Sequence, residues 1–308
     1  MKFKKSCIHY VANNIEQNKP TIFENRVAII GDIHGESKKL NNLLDKIKKT
    51  YSNMETIFCT GDLIDRGPDS KGVVQTCIDN NIVSIRGNHD DLLIRFLFGE
   101  VGAFSLCINQ GIGGFHTVKS YGINPYGPNA PSDYRQAIPD SHKSYLTSMP
   151  MMKIFGIESN STSSVIPCDK IICILTHAGL GQEDWPYESS VWKDYYRITS
   201  TLPSPGIKRR IMYLEKKLSK RMESIEDTIL WSHKRNQFLD LNITPKKNIG
   251  NTRVIQVVGH TPTQDSKPTL HSNNSVWSID TGCGKHENAP LSALILPDET
   301  YIQSDNDE

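Results

Sequence analysis

The stretch "TIFCTGDLIDRGPDSKGVVQTCID", residues 56–79, packs a strand, a turn and a helix into one continuous segment. "TIFCT" (56–60) is a short apolar run that stops at Gly61, and the turn behind it carries Asp62, Asp65 and Arg66. From Ser70, a residue able to cap a helix, Val73, Val74, Cys77 and Ile78 recur at helical spacing. A plain connection needs neither two carboxylates nor a guanidinium, so this turn is expected to do chemistry as well as reverse the chain.

The same unit occurs on both sides of it. "RVAII" (26–30) ends at Gly31 and precedes a segment with Leu40, Leu43, Leu44 and Ile47 on one helical face. "NIVSIR" (81–86) ends at Gly87 and leads into the helix opening of "HDDLLIRFLFG". Strands that each feed a helix predict parallel β-α-β units and an α/β fold. Further on, residues 101–150 are rich in Gly, Pro and polar residues and read as a long surface excursion. "KIICILT" (170–176) is a buried strand, and 206–226 is a basic, amphipathic helical insert whose charged face is read as solvated. "RVIQVVG", "SVWSID" and "LSALILP" follow with no helices between them, which suggests antiparallel pairing. The organisation expected is an N-terminal extension over 1–25, one large domain over 26–300 with insertions near 101–150 and 195–226, and a disordered acidic tail over 301–308.

Composition narrows the function classes. A chain of 308 residues with a formal charge of +1 has no global field that favours nucleic acid or an anionic membrane. No apolar run reaches the length of a membrane span, and no apolar segment follows the basic N-terminus "MKFKKSCIHY". Seven cysteines without a C-x-x-C pair suggest reduced, buried thiols and a cytoplasmic location. Nothing in the sequence fixes an oligomeric state.

The strand ends carry the chemistry. "GDIHG" offers Asp32 and His34, "GDLIDRG" offers Asp62, Asp65 and Arg66, and "RGNHD" offers Arg86, Asn88 and His89. Two later strands end at His177 in "ILTHAGL" and at His260 in "VVGHTP". Ligands of open α/β sheets bind beyond the carboxyl ends of the strands, so these turns should converge. Asp32, His34, Asp62, Asn88, His177 and His260 are too many ligands for one open catalytic ion, but suit two ions that share Asp62. Two metals roughly 3.5–4 Å apart can clamp a phosphate and generate the attacking hydroxide. The reaction class expected is phosphoester hydrolysis.

The set GDxHG, GDxxDRG, GNH[DE], HAG and GHT resembles the phosphoprotein phosphatase branch of the calcineurin-like metallophosphoesterases, over about residues 26–297. "GIGGFHTVKSYGI" and "SIDTGCG" resemble segments of the small bacterial enzymes of that family. The resemblance implies a sandwich of mixed β-sheets flanked by helices, with a dinuclear site where strand ends meet. It implies a first ion on Asp32, His34 and Asp62, and a second on Asp62, Asn88, His177 and His260. It pairs Asp65 with His89, the implied general acid, while Arg66 and Arg86 would grip phosphate oxygens. A metal-bridging hydroxide would then attack phosphorus directly.

Substrate and metal stay open at this level. The complete "GDLIDRG" favours phosphoserine or phosphothreonine in proteins; the alternatives are a dinucleoside tetraphosphate hydrolase or polyphosphatase, and an inactive phosphoprotein-binding module. The family's later phosphate-binding arginine is expected where "ILWSHKRNQFLD" has His233, which leaves Arg235 as the candidate. Imidazole, carboxylate and amide ligands admit manganese, iron or zinc, and manganese is the choice for activity.

Overall fold

The computed structural model describes residues 21–158, 168–179, 230, 252–271 and 275–305. Its first third alternates as the sequence reading expects. Strand β1 (Ile22–Phe23) and β2 (Arg26–Ile30) precede α1 (Ser37–Thr50), then β3 (Met54–Cys59), α2 (Ser70–Asp79), β4 (Val83–Ser84) and α3 (Asn88–Leu97). Strands β2, β3 and β4 are parallel neighbours. The four apolar residues Leu40, Leu43, Leu44 and Ile47 are all buried on the inner face of α1. At the start of α2 the cap is Asp69 rather than Ser70: the Asp69 carboxylate accepts from the Gly72 amide at 2.8 Å. Ser70 is fully buried and turns its hydroxyl toward the site instead.

The middle of the chain is helical, where the sequence reading expected a loop. Residues 101–150 form α4 (Ala103–Cys107), a 3₁₀ turn (Gln110–Ile112), α5 (Gly114–Ser120), α6 (Ala130–Ala137) and α7 (Asp140–Ser148). The glycines that suggest loop structure mark helix starts. Gly102 and Gly113 have φ of 85° and 78°, and each directly precedes a helix. Val118, Tyr121, Tyr134, Ile138 and Leu146 from this segment join the core that α1, α2 and α3 build on β2 and β3.

The remaining strands are β5 (Met152–Glu158), β6 (Lys170–Thr176), β7 (Thr252–Val258), β8 (Thr269–His271), β9 (Val276–Ser278), β10 (Ser292–Leu296) and β11 (Thr300–Gln303). They complete two mixed sheets, one ordered β1-β5-β6-β7-β9-β8 and the other β11-β10-β2-β3-β4. The late strands do not form one antiparallel run: β7 pairs parallel with β9, and β10 crosses to the other sheet to lie antiparallel to β2. The side-chain pattern of β10 explains its position. Ala293 and Ile295 enter the helix-side core while Leu294 and Leu296 enter the core between the sheets, so this strand needs cover on both faces. Strand β2 divides in the same way, with Ala28 and Ile30 on one side and Val27 and Ile29 on the other. Between the sheets, Phe58 stacks on Phe155 with ring centroids 4.5 Å apart, and Phe23 meets both edge-on.

The first and last described segments contribute to the sheets. Strand β1 falls within the segment read as an extension, and β11 overlaps the segment read as an acidic tail. Asp305 accepts hydrogen bonds from Asn42 at 2.9 Å and Lys46 at 2.5 Å. The basic insert, His233 and Arg235 lie outside the described residues.

Candidate active site

Five strand ends from the two sheets meet at one place. Asp32 and His34 follow β2, Asp62, Asp65 and Arg66 follow β3, and Arg86, Asn88 and His89 follow β4. From the other sheet, His177 follows β6 and His260 follows β7. The turns are locked to each other through the backbone: the amides of Ile33 and His34 both donate to the Asp62 carbonyl, at 3.1 and 2.9 Å. Asp90, the last residue of "RGNHD", ties the turns after β3 and β4 together. Its carboxylate accepts from the amides of Asp62 (2.8 Å), Gly87 (3.0 Å) and Leu63 (3.1 Å).

The backbone is held in a costly shape here. His34, Asp62, Asp65, Arg66 and His260 have φ between 47° and 73°, the left-handed region that side chains disfavour. Gly259 lacks a Cβ for a specific reason, since one would overlap the Asp32 carboxylate and approach Thr60 Oγ1. On the ligand role that the resemblance implies for Asp32, Gly259→Ala is expected to displace it and weaken divalent-metal binding by about 10- to 100-fold, the range for groups that orient a ligand. Titration calorimetry with manganese measures this directly.

At the centre is Asp62. Its Oδ2 lies 3.4 Å from His177 Nε2, 3.6 Å from His34 Nε2 and 4.0 Å from His89 Nε2. His34 Nδ1 donates to the Ile64 carbonyl at 3.0 Å and His177 Nδ1 to the Thr60 carbonyl at 2.8 Å. Carbonyls only accept, so Nδ1 carries a proton on both rings, and the Nε2 of each faces Asp62. Asn88 Oδ1 sits 2.9 Å from His177 Nε2 and 3.0 Å from His260 Nδ1. Two groups of metal-capable atoms result, His34–Asp62–His89 and Asp62–His177–His260, with Asp62 common to both.

The donor chemistry fits divalent cations. His34 Nε2 and Asp62 Oδ2 are buried and have no hydrogen-bond partner. A buried acceptor left unpaired is expensive, and a cation among these atoms removes that cost. Asp32 stands apart from both groups. Its carboxylate accepts from Thr60 Oγ1 and from the His260 amide, both at 2.9 Å, and lies 3.4 Å from Lys285 Nζ. Lys285 also donates to Asp280 Oδ2 at 2.7 Å and to the His260 carbonyl at 2.9 Å. Neither Lys285 nor Asp280 was singled out from sequence, although both lie in or beside the "SIDTGCG" segment.

Charge is finely balanced in this buried space. Burial alone would raise the Asp62 carboxyl, but His177, His89 and His34 around it hold it well below the usual range. Burial works against charge on His177, and the Asp62 and Asp32 carboxylates overcome it, lifting the imidazole to about 9. His34 goes the other way, with burial keeping it well below its ordinary value despite Asp62. Burial, then the Asp62 charge, raise Asp90 to about 7 against the amides that bind it.

Beside the metal-capable groups, His89 Nδ1 donates to Asp65 Oδ2 at 2.7 Å. Burial disfavours the imidazolium of His89, but Asp62 and Asp65 together raise its pKa above the ordinary value. Arg66 Nη2 lies 3.4 Å from His89 Nε2. Arg86 is more confined: it pairs with Asp91 at 3.2 Å, and its Nη2 reaches the Met149 carbonyl at 3.4 Å. Of the ten sequence-predicted residues within the described part of the chain, nine are linked by the contacts above, while the Arg86 guanidinium is held by Asp91 and Met149; Arg235 lies outside the described residues.

Comparison with known proteins gives the family. A family model described as calcineurin-like phosphoesterase matches residues 25–293, and the chain belongs to that family. It is 40% identical over 73 residues to the symmetrical bis(5'-nucleosyl)-tetraphosphatase of Neisseria meningitidis, covering 23% of this chain and 26% of the relative. It is 39% identical over 83 residues to an asymmetrical bis(5'-nucleosyl)-tetraphosphatase of Anoxybacillus flavithermus, covering 23% and 34%. These matches span about a quarter to a third of the relatives' lengths. Among solved structures, a cold-active protein-tyrosine phosphatase of Shewanella aligns over 94% of this chain and 84% of its own, at 16% identity and a TM-score of 0.45. Among the described residues, no helix is long and apolar enough to cross a membrane.

Proposed function

We propose that this protein hydrolyses phosphomonoesters with two divalent metal ions, and that its substrates are serine or threonine phosphoproteins. Asp62 would bridge the ions, with Asp32 and His34 on one and Asn88, His177 and His260 on the other. Bound there, the ions, manganese by preference, would supply Lewis acidity and a water of lowered pKa. Arg66 and Arg86 would neutralise charge on the phosphate oxygens.

The observation that carries the substrate class is the 2.7 Å bond between His89 Nδ1 and Asp65 Oδ2. With Nδ1 committed to a carboxylate, Nε2 is left to deliver a proton beside the metal-capable groups. Such an acid matters most where the leaving oxygen is a strongly basic alkoxide, as in a serine or threonine ester. A phosphate chain leaves as a much weaker base and needs less help.

A second reading, hydrolysis of dinucleoside tetraphosphates, is supported by the names of the relatives that align with part of the chain. A phosphothreonine peptide and diadenosine tetraphosphate, assayed side by side with manganese-loaded protein, separate the two. Phosphate release from the peptide alone supports the first reading, and preferential cleavage of the tetraphosphate supports the second. No turnover of any phosphoester would leave a phosphoprotein-binding role.

A further inference from the structure

We infer that Thr117 is a positioning residue for the general acid, and that α5 with the turn before it is a brace for the residues of the β3 turn. This rests on the role proposed for His89. Helix α5 belongs to the segment whose sequence reads as a surface excursion, yet Thr117 is 2% exposed and its hydroxyl meets Asp65 Oδ1 while His89 meets Oδ2.

The hydrogen bonds have only one consistent direction. Thr117 Oγ1 lies 2.6 Å from Asp65 Oδ1, and since a carboxylate only accepts, the threonine spends its single O–H there. Ser70 Oγ, 2.9 Å from Thr117 Oγ1, must then be the donor in that pair. The Asp65 amide donates to Thr117 Oγ1 at 2.9 Å and also lies 3.1 Å from Ser70 Oγ. A directed chain follows, from Ser70 to Thr117 to Asp65 Oδ1, with His89 Nδ1–H on Asp65 Oδ2. Both carboxylate oxygens are occupied, so the plane of the carboxylate, and with it the imidazole, is fixed.

A second set of contacts supports the brace. The Arg66 amide donates to the Gly113 carbonyl at 3.2 Å, and a Cβ on Gly113 would meet Arg66 N at 2.6 Å. Asp65 and Arg66 have φ of 73° and 68°, so this pair holds an unfavourable backbone shape that needs such restraint. Thr117 and Gly113 therefore bond the amides of the two strained residues in turn. Buried hydroxyls that satisfy both a carboxylate and an amide set a side chain's direction more than they add stability.

Leaving-group dependence reads this role and is insensitive to a general loss of stability. Manganese-loaded wild type, Thr117→Val, Thr117→Ser, Ser70→Ala and His89→Ala are assayed on a series of substituted phenyl phosphates, from p-nitrophenyl to phenyl. The expected result is a steeper dependence on leaving-group basicity in Thr117→Val, with kcat on phenyl phosphate down about tenfold or more, a share of the usual general-acid factor. Thr117→Ser, which keeps the hydroxyl, recovers the shallow dependence, and Ser70→Ala falls between. A folded Thr117→Val with the wild-type slope overturns the inference. Should that variant not fold, a wild-type slope in Ser70→Ala overturns it instead. If His89→Ala itself keeps the wild-type slope, the acid assigned to His89 is wrong and the positioning role falls with it.

Discussion

Asp62→Asn is expected to cost at least about a thousandfold in hydrolysis and to reduce bound manganese below one ion per chain. The side chain keeps its volume but loses the charge that faces three imidazoles. Because Asp62 belongs to both metal-capable groups, its loss damages both positions at once. A pair of ions contributes several kcal/mol of transition-state stabilisation, and each 1.4 kcal/mol is about tenfold in rate, which gives the thousandfold figure. Metal content after gel filtration and turnover of p-nitrophenyl phosphate measure the two effects separately. Two ions per chain retained in the variant would show that Asp62 does not bridge.

His89→Ala should lower turnover of a phosphothreonine peptide by about 10² to 10⁴, the span for a positioned general acid. With p-nitrophenyl phosphate, whose leaving group is already a good one, the loss should be much smaller. The variant also removes the partner of Asp65 Oδ2 and leaves that oxygen facing an empty space, so a melting curve should accompany the kinetics. Manganese content near that of wild type is expected, which separates loss of the acid from loss of the metals. Equal losses on both substrates would point to a metal ligand instead, consistent with the place of His89 beside His34 and Asp62.

The parts of this architecture visible in the sequence share a physical origin. Strand β2 is buried on both faces and reads as an apolar run, and the segments of β2, β3 and β4 each lead into a glycine where the chain turns. The site is legible for the same reason, since parallel strands place their carboxyl ends together and the polar residues there cannot avoid one another. What escaped is what depends on contacts between distant segments. The glycines and prolines of 101–150 suggest a loop, but Gly102, Gly113 and Pro131 act at helix beginnings. Thr117 has no local mark that links it to Asp65, 52 positions away. Likewise, nothing in "LSALILP" states that its strand returns to β2 rather than to its predecessor.

The candidate site lies on the seam between the sheets, with His177 and His260 supplied by one and the remaining candidates by the other. Cations bound there would fasten the two halves of the molecule as a clasp does, in addition to serving the reaction. An ion that binds only the assembled halves draws the folding equilibrium toward assembly by mass action. Metal supply would then set how long the chain persists intact in a dilute solution as well as how fast it turns over.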